Sequence, residues 1–105
     1  MFDFDISDEL KVKIRKLIKK DRKRAEILNK KIKEIIQNNA ESIDRYKNLK
    51  YGLSNYKRVH LDNHFVLTFR VDKENNFILF VDLEHHDNVY WIHFINRKLF
   101  KYLLR

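Results

Sequence analysis

Apolar and polar positions divide the first forty residues into one strand-like segment and two helical ones. Phe2, Phe4 and Ile6 alternate with aspartates, so residues 2–6 predict a short strand. Ser7 and Asp21 each precede a run with helical spacing, and each can act as an N-cap. The apolar stripes of the two predicted helices are Leu10, Ile14, Leu17 and Ile18, then Ala25, Leu28, Ile32, Ile35 and Ile36. With almost no linker between them, the helices should form a hairpin with one apolar seam and basic outer faces.

The second half of the chain changes to the period of a sheet. Residues 40–55 are polar and include Gly52, which favours a connecting loop with room for one helical turn. Three runs rich in Val, Phe, Leu and Thr follow at 56–61, 64–71 and 77–84, and turn residues separate them. Consecutive strands with such short connections predict an antiparallel meander.

The elements add up to one predicted fold. Strict alternation in the third run places Phe77, Leu79, Val81 and Leu83 on one face, and Ile78, Phe80, Asp82 and Glu84 on the other. Residues 91–105 return to helical spacing through Ile92, Ile95, Leu99, Tyr102 and Leu103. The order β-α-α-β-β-β, followed by this helix, predicts a single α+β domain over 1–105. Its meander sheet should pack on the helical hairpin, with 91–105 as a C-terminal helical extension.

Charge is distributed unevenly along the chain and points to a kind of partner. The 105 residues contain 23 Lys and Arg against 15 Asp and Glu, a formal net charge of +8. Residues 11–33 hold twelve of the basic residues and two acidic ones, whereas 1–10 and 72–87 are acidic. This pattern favours a polyanionic partner, nucleic acid before membrane, because neutralised phosphates release their counterions. The alternative is a lysine-rich helix face that only keeps the protein dissolved.

The composition also excludes several kinds of site. With no cysteine, the chain has no disulfide, cysteine–zinc site, iron–sulfur cluster or thiol nucleophile. The histidines lack the spacing of zinc motifs, and adjacent His85 and His86 would point to opposite faces of a strand, so we expect no metal and no cofactor. No apolar run approaches the roughly 18 residues of a membrane span, and the acidic amino end is unlike a signal peptide. These features predict a cytoplasmic protein.

Two motifs, taken with this order of elements, resemble the RelE/ParE superfamily of type II toxins, and most closely its YafQ-like and RelE-like messenger-RNA interferases. The first motif is Tyr46-Lys-Asn-Leu-Lys-Tyr-Gly-Leu-Ser-Asn-Tyr-Lys-Arg-Val-His60, which an apolar strand up to Val71 follows. The second is His85-His-Asp-Asn-Val-Tyr90, similar to the family's closing His-x-x-x-aromatic. The resemblance covers about residues 1–90. The chain departs from the YafQ-like pattern in two places: a His before the glycine turn is missing, and His64 stands where an Asp is usual.

The resemblance implies a toxin that cleaves messenger RNA in the ribosomal A site, without a metal, by attack of the ribose 2′-OH on the adjacent phosphodiester. It implies three partners: messenger RNA, the ribosome and a cognate antitoxin that docks on the helical hairpin or on the tail helix. The reaction needs a base, an acid for the leaving 5′-oxygen and cations beside the phosphoryl oxygens. Imidazole suits the proton transfers, because its ordinary pKa of about 6.5 leaves both protonation states populated at neutral pH.

The resemblance assigns proton transfer to His60 and His86, and stacking on a base or hydroxyl donation to Tyr90. Arg58 should share the face of His60 in an extended strand, and its guanidinium can bind two phosphate oxygens, so it is the candidate phosphate clamp. The predicted RNA- and phosphate-binding rim comprises Lys47, Lys50, Lys57, Arg70 and His64. The alternatives are ordinary ones: a surface arginine, a core aromatic, solvated lysines, and histidines bonded to backbone carbonyls. We expect His85 and His93 to be structural.

Two other functions stay open. A ParE-like inhibitor of DNA gyrase would have this fold without nuclease activity, although such relatives generally lack the paired histidines. A RelE-fold protein that only binds RNA or a partner is the other alternative, since the upstream His is missing and His64 replaces an Asp. Growth arrest that disappears with His86→Ala would favour the nuclease over a pure binder.

Overall fold

The computed structural model describes residues 1–49 and 55–85; the candidate residues Lys50, His86 and Tyr90 and the helix predicted at 91–105 lie outside this part of the chain. Its elements are β1 (Asp3–Ile6), α1 (Asp8–Lys20), α2 (Arg22–Ile36), a 3₁₀ turn (Ser42–Arg45), β2 (Lys47–Asn48), β3 (Tyr56–Leu61), β4 (Phe65–Asp72) and β5 (Phe77–His85). The strands form one sheet in the order β1-β5-β4-β3-β2, with β1 parallel to β5 and the other neighbours antiparallel. The predicted α+β class and the meander are confirmed.

The segment between α2 and β3 differs from the predicted loop. Ser42–Arg45 forms the helical turn for which the sequence left room, but Lys47–Asn48 forms a strand that the pattern did not predict. A two-residue strand has no apolar period of its own, and its pairing with Arg58 and Lys57 of β3 defines it. This pairing brings a second basic segment beside the candidate residues of β3.

Both predicted N-caps are confirmed, and both helices begin where the sequence places them. The Ser7 hydroxyl accepts a hydrogen bond from the Leu10 N–H at 3.1 Å, and the Asp21 carboxylate accepts one from the Arg24 N–H at 3.2 Å. Because Asp21 both follows α1 and precedes α2, the hairpin has a one-residue connection. The tight connection holds the apolar stripes of α1 and α2 against the same face of the sheet.

The core lies between the helical hairpin and one face of the sheet. Its buried apolar side chains include Leu10, Leu28, Ile32, Ile35, Leu61, Leu67, Phe69, Val71, Ile78, Phe80 and Leu83. One member of the predicted stripe on α1 was wrongly placed, since Ile18 is 54% exposed. Ile18 points about 100° away from its neighbour Leu17 around the helix, and only Leu17 packs against the core.

A β-bulge in β5 changes which of its side chains face the core. Two neighbouring residues of β4 pair with Phe80 and Asp82, so Val81 between them is an extra residue on β5. Strict alternation placed Phe80 and Leu83 on opposite faces, and this prediction is wrong, because both side chains pack in the core. The extra residue shifts the alternation by one position after Phe80, and it leaves Asp82 on the face away from the helices.

Ser7 joins α1 to this bulge, and its replacement by alanine should destabilise the fold. The buried Ser7 hydroxyl donates to the Val81 carbonyl at 2.6 Å while it also caps α1. Loss of the cap costs about 1 kcal/mol, and the unbonded carbonyl about 1 more, so Ser7→Ala should lower the free energy of unfolding by about 2 kcal/mol in urea titrations. Asp21→Ala removes a cap and a half-buried ion pair to Arg24 and should cost about half as much. Equal losses in the two variants would contradict the second contact of Ser7.

Candidate functional site

Alternation in β3 separates its candidate residues onto the two faces of the sheet. Val59 and Leu61 pack against the core, so Arg58 and His60 lie on the face opposite the helices. Lys47 of β2 is directly opposite Arg58 in the register and therefore shares this face. The structure thus brings together three of the sequence-predicted residues, one from β2 and two from β3.

These three residues line a pocket at the edge of the sheet, which we call the notch. Its volume is about 330 Å³, and the remaining lining comes from Arg45, Tyr46 and Val59. The notch forms because pairing of β2 stops at Lys47, whereas β3 continues past that point to His60 and Leu61. Lys47 and His60 are exposed and Arg58 is half-buried, so a ligand in solvent can reach all three polar ends.

Two residues of the notch, Arg45 and Tyr46, were missing from the sequence-predicted set. The Arg45 guanidinium donates to the Tyr46 hydroxyl at 3.0 Å and lies 5.1 Å from the centre of its ring. This hydrogen bond raises the pKa of Arg45 above its usual range. The Tyr46 ring in turn meets the ring of Phe69 edge-on, with centroids 5.7 Å apart. The basic–aromatic–basic run at 45–47 was the available signal, since such interleaving is typical of surfaces that bind single-stranded nucleic acid.

Positive charge is concentrated along β2 and β3. Directly opposite residues in an antiparallel pair have Cβ atoms about 5 Å apart, which applies to Lys47 and Arg58. Arg70 of β4 is a diagonal neighbour of Arg58, because it pairs with Tyr56 two residues earlier in β3. Arg70 nevertheless lines a separate pocket of about 540 Å³ near the start of β3. Burial raises the pKa of the Tyr56 hydroxyl against the opposing effect of Arg70, so the tyrosine is neutral there.

Two acidic residues of this face, Asp82 and Glu84, lie on its far side from the notch, on β5. In the register, Arg58 is opposite Thr68, and Thr68 is opposite Asp82. The Lys13 ammonium of α1 lies 2.8 Å from the Asp82 carboxylate and 2.6 Å from that of Glu84. Because Lys13 offsets these carboxylates, the net positive charge of the face stays toward the notch.

Lys57 lies on the helix-covered face and does not line the notch. Its side chain is 5% exposed, and its ammonium donates to the Tyr46 carbonyl at 3.2 Å and to the Asn48 side-chain oxygen at 2.7 Å. The Asp44 carboxylate is 3.5 Å from the same ammonium and 2.7 Å from that of Lys73. The hydrogen bond from Lys73 lowers the pKa of Asp44. Adjacent residues of β3 therefore have different surroundings, with Lys57 buried among protein contacts.

His64 lies at another corner, in the turn between β3 and β4. Its backbone N–H donates to the Asp62 carboxylate at 2.7 Å, and its ring stacks on that of His85 with centroids 5.9 Å apart. The His85 ring also meets the Phe65 ring edge-on at 5.2 Å. Burial alone would raise the pKa of Asp62, but the His64 N–H and the Arg24 guanidinium outweigh it and lower that pKa. The structure thus places His64 beside His85 and away from the notch.

The chemistry of the notch follows from its cations and its imidazole. Arginine and lysine can bind phosphate oxygens, and a neighbouring histidine can accept or donate a proton. Within residues 1–49 and 55–85, no three side chains of the metal-ligating types stand close enough together to hold a metal ion. In the same ranges, neither helix combines the length and the apolar composition needed to cross a bilayer.

Comparisons with known proteins give matches over most of the chain. A family model described as the ParE toxin of the type II toxin-antitoxin system, parDE, matches residues 6–90. The RelE4 protein of Methanocaldococcus jannaschii is 43% identical to this chain over 101 residues, which cover 96% of this chain and 99% of that protein.

Two solved structures share the fold at low sequence identity. The isolated RelE toxin of E. coli has a TM-score of 0.66 and 17% identity, and the match covers 92% of this chain and 98% of RelE. YafQ from E. coli has a TM-score of 0.58 and 15% identity, with 86% of this chain and 99% of YafQ covered. These matches confirm the predicted arrangement of a helical hairpin against a meander sheet.

Proposed function

The chain belongs to the RelE/ParE superfamily of type II toxins, and on that premise we propose that it is a ribosome-dependent endoribonuclease that cleaves messenger RNA. The observation that carries the proposal is the notch, where Lys47, Arg58 and His60 meet. Cations beside an imidazole suit cleavage of RNA by its own 2′-OH, because that reaction needs proton transfer and stabilisation of charge on the phosphoryl oxygens.

In the proposed reaction, His60 removes the proton of the ribose 2′-OH. The 2′-oxygen then bonds to the adjacent phosphorus while the bond from phosphorus to the 5′-oxygen breaks, which gives a 2′,3′-cyclic phosphate and a 5′-hydroxyl. Arg58 binds two non-bridging oxygens through its paired N–H groups, and Lys47, opposite it, offsets the developing negative charge. As the family resemblance implies, the step is independent of metal.

The leaving 5′-oxygen needs a proton, and we assign its donation to His86, with Tyr90 as the aromatic that stacks on a base. Both residues lie outside the described part of the chain, so these roles rest on the second sequence motif. Lys50 and Arg70 remain in the proposed outer rim. Lys57 does not, because its ammonium is bonded to Tyr46, Asn48 and Asp44, and His64 does not, because its ring stacks on that of His85.

The helical hairpin supports the proposed partners. Exposed basic side chains cover the outer surfaces of α1 and α2: Lys11, Arg15, Lys16, Lys19, Lys20, Arg22, Lys23, Lys30 and Lys33. Such a surface would bind the ribosome's phosphates, and a cognate antitoxin that covers it would keep the toxin inactive. We propose the cytoplasm as the site of action, since the substrate is translated there.

Inhibition of DNA gyrase is the second candidate function, and one observation favours it. The family model that matches residues 6–90 is that of the ParE toxin. In a gyrase inhibitor the juxtaposed Arg58 and His60 would have no catalytic task. Cleavage of RNA therefore separates the two candidates.

The test maps the 5′ ends of messenger RNA by primer extension in a translating extract, with and without ribosomes. We expect new 5′ ends only when ribosomes are present. His60→Ala should lower the cleavage rate by about 10²- to 10⁴-fold, because the 2′-OH then loses its general base. His85→Ala is the matched control, since it removes an exposed histidine of β5 that is not among the residues lining the notch, and it should cleave at close to the wild-type rate.

Two outcomes would count against the proposal. Cleavage by His60→Ala at the wild-type rate would remove His60 from the reaction. No cleavage by the wild-type protein under any condition would overturn the nuclease function, and a gyrase supercoiling assay would then test the second candidate.

A further inference from the structure

Strand β2 is short, although it has to keep Lys47 opposite Arg58 at the edge of the sheet. It has two residues at the edge of the sheet, Lys47 and Asn48, and a backbone hydrogen bond from the Leu49 N–H to the Tyr56 carbonyl at 2.8 Å continues its contact with β3. A short edge strand with few ladder hydrogen bonds opens easily in solution. Yet Lys47 must stay opposite Arg58 for the two cations to act on one phosphate.

The buried ammonium of Lys57 bonds to β2 on both sides of Lys47. It donates to the carbonyl of Tyr46, the residue before Lys47, at 3.2 Å, and to the side chain of Asn48, the residue after it, at 2.7 Å. Withdrawal of an ammonium from water is costly unless it is hydrogen-bonded. Separation of β2 from β3 would remove these two bonds and the contact with Asp44, so the ammonium opposes that separation.

We propose that Lys57 is a positioning residue that acts through Lys47: its buried ammonium holds residues 46–48 against β3 and so keeps Lys47 opposite Arg58 in the notch. The proposal rests on the proposed function in so far as the notch is the phosphate site. Two neighbouring residues of β3 therefore have different roles. Arg58 faces the notch, and Lys57 holds β2 in place from the other face of the sheet.

Lysine suits this task better than an apolar residue of similar length. Its three N–H donors can serve a carbonyl, a side-chain amide oxygen and a carboxylate at once, which matches Tyr46, Asn48 and Asp44. Asp44 lies next to the 3₁₀ turn's last residue and also contacts Lys73. The 3₁₀ turn and β2 are therefore fixed to the sheet by one buried charge.

The test is a double-mutant cycle between Lys57→Met and Lys47→Ala, measured as the single-turnover rate of cleavage on ribosomes with a defined messenger. Lys57→Met should lower the rate about tenfold in the wild-type background and have little effect in the Lys47→Ala background, because its effect passes through Lys47. Asn48→Ala removes one acceptor of the ammonium from an exposed position and should lower the rate in the same direction. Lys73→Met, which removes the exposed ion pair to Asp44, is the matched control and should retain the wild-type rate.

Amide hydrogen exchange at Leu49 supplies a readout that does not depend on any nuclease activity. The Leu49 N–H should exchange at least about tenfold faster in Lys57→Met than in the wild type, and at the wild-type rate in Lys73→Met. If the wild type cleaves no RNA, the proposed function fails, and exchange alone decides whether Lys57 holds β2.

Either of two results would overturn the positioning role. Unchanged exchange at Leu49 in Lys57→Met would show that β2 does not depend on the ammonium. Equal losses of cleavage rate in the wild-type and Lys47→Ala backgrounds would show that Lys57 acts independently of Lys47.

Discussion

Replacement of Arg58 by alanine should lower the rate of messenger-RNA cleavage by about 10²- to 10³-fold, the usual effect of removing a group that stabilises charge in a transition state. Arg58 is half-buried in the notch, with Lys47 opposite it on β2 and Thr68 opposite it on β4. The planar fork of donors in a guanidinium is pre-organised, so little entropy is lost when it binds an oxygen pair. The loss should therefore appear in the maximal single-turnover rate more than in the toxin concentration needed to reach half of it.

Two comparisons make this measurement specific. Arg58→Lys keeps the charge but loses the planar fork of donors, so it should recover only part of the rate. Arg15→Ala removes an equal charge from the exposed surface of α1, and it should raise the toxin concentration needed without a change in the maximal rate. If Arg58→Ala behaved as Arg15→Ala does, Arg58 would contribute only to general attraction, and the proposed clamp would be wrong.

The sequence predicted most of the elements because each of them is long enough to contain several repeats of its apolar spacing. The helices α1 and α2 span 13 and 15 residues, enough for three or more turns of an apolar stripe, and each begins at the polar cap that the sequence indicated. The strand β2 has two residues, fewer than any period can reveal, and tertiary pairing determines it. The bulge at Val81 was equally hidden, because an alternating sequence does not show where a partner strand skips a residue.

The candidate site could be predicted only in part, for a similar reason. Alternation correctly placed Arg58 and His60 on one face, but no pattern indicated that Lys57 would be buried among contacts from the preceding segment. Lys57 and Lys47 look alike in the sequence, as exposed lysines of a basic stretch. Their difference comes from the pairing of β2 with β3. Lys47, on β2, lines the notch, whereas Lys57, on β3, is covered by β2 and the residues before it.

The histidines illustrate a limit of spacing arguments. His60 and His64 are four residues apart, but the turn at Asp62 reverses the chain between them, and Asp62 has a positive φ of 53°. The ring of His64 then stacks on His85, at the other end of the β4–β5 pair from Phe77. Proximity in sequence thus indicated that His60 and His64 belong to one cluster. In the folded hairpin, His60 lines the notch and His64 lies beside His85.

The sheet that carries the notch depends on its interior strand β5, and Phe80→Ala should produce the largest loss of stability. Phe80 is fully buried on β5, between Ile6 of β1 and Phe69 of β4. Its ring centroid lies 5.8 Å from that of Phe69 and 6.0 Å from that of Phe4. Truncation removes these contacts and leaves a cavity, so the free energy of unfolding in urea should fall by about 3–5 kcal/mol. Since small domains have about 5–15 kcal/mol in total, this loss is a large share of the stability.

Phe4→Ala is the matched control, because it removes an aromatic ring from the same cluster at a position that is 44% exposed. It should cost about 1 kcal/mol, since solvent refills most of the space. The urea dependence should keep the wild-type slope in both variants if the transition remains two-state. A loss in Phe80→Ala no larger than in Phe4→Ala would mean that the sheet repacks around β5. The bulge of β5 would then be free to move, and β5 would not hold β4 rigidly in the register that aligns Thr68 with Arg58 and Lys47.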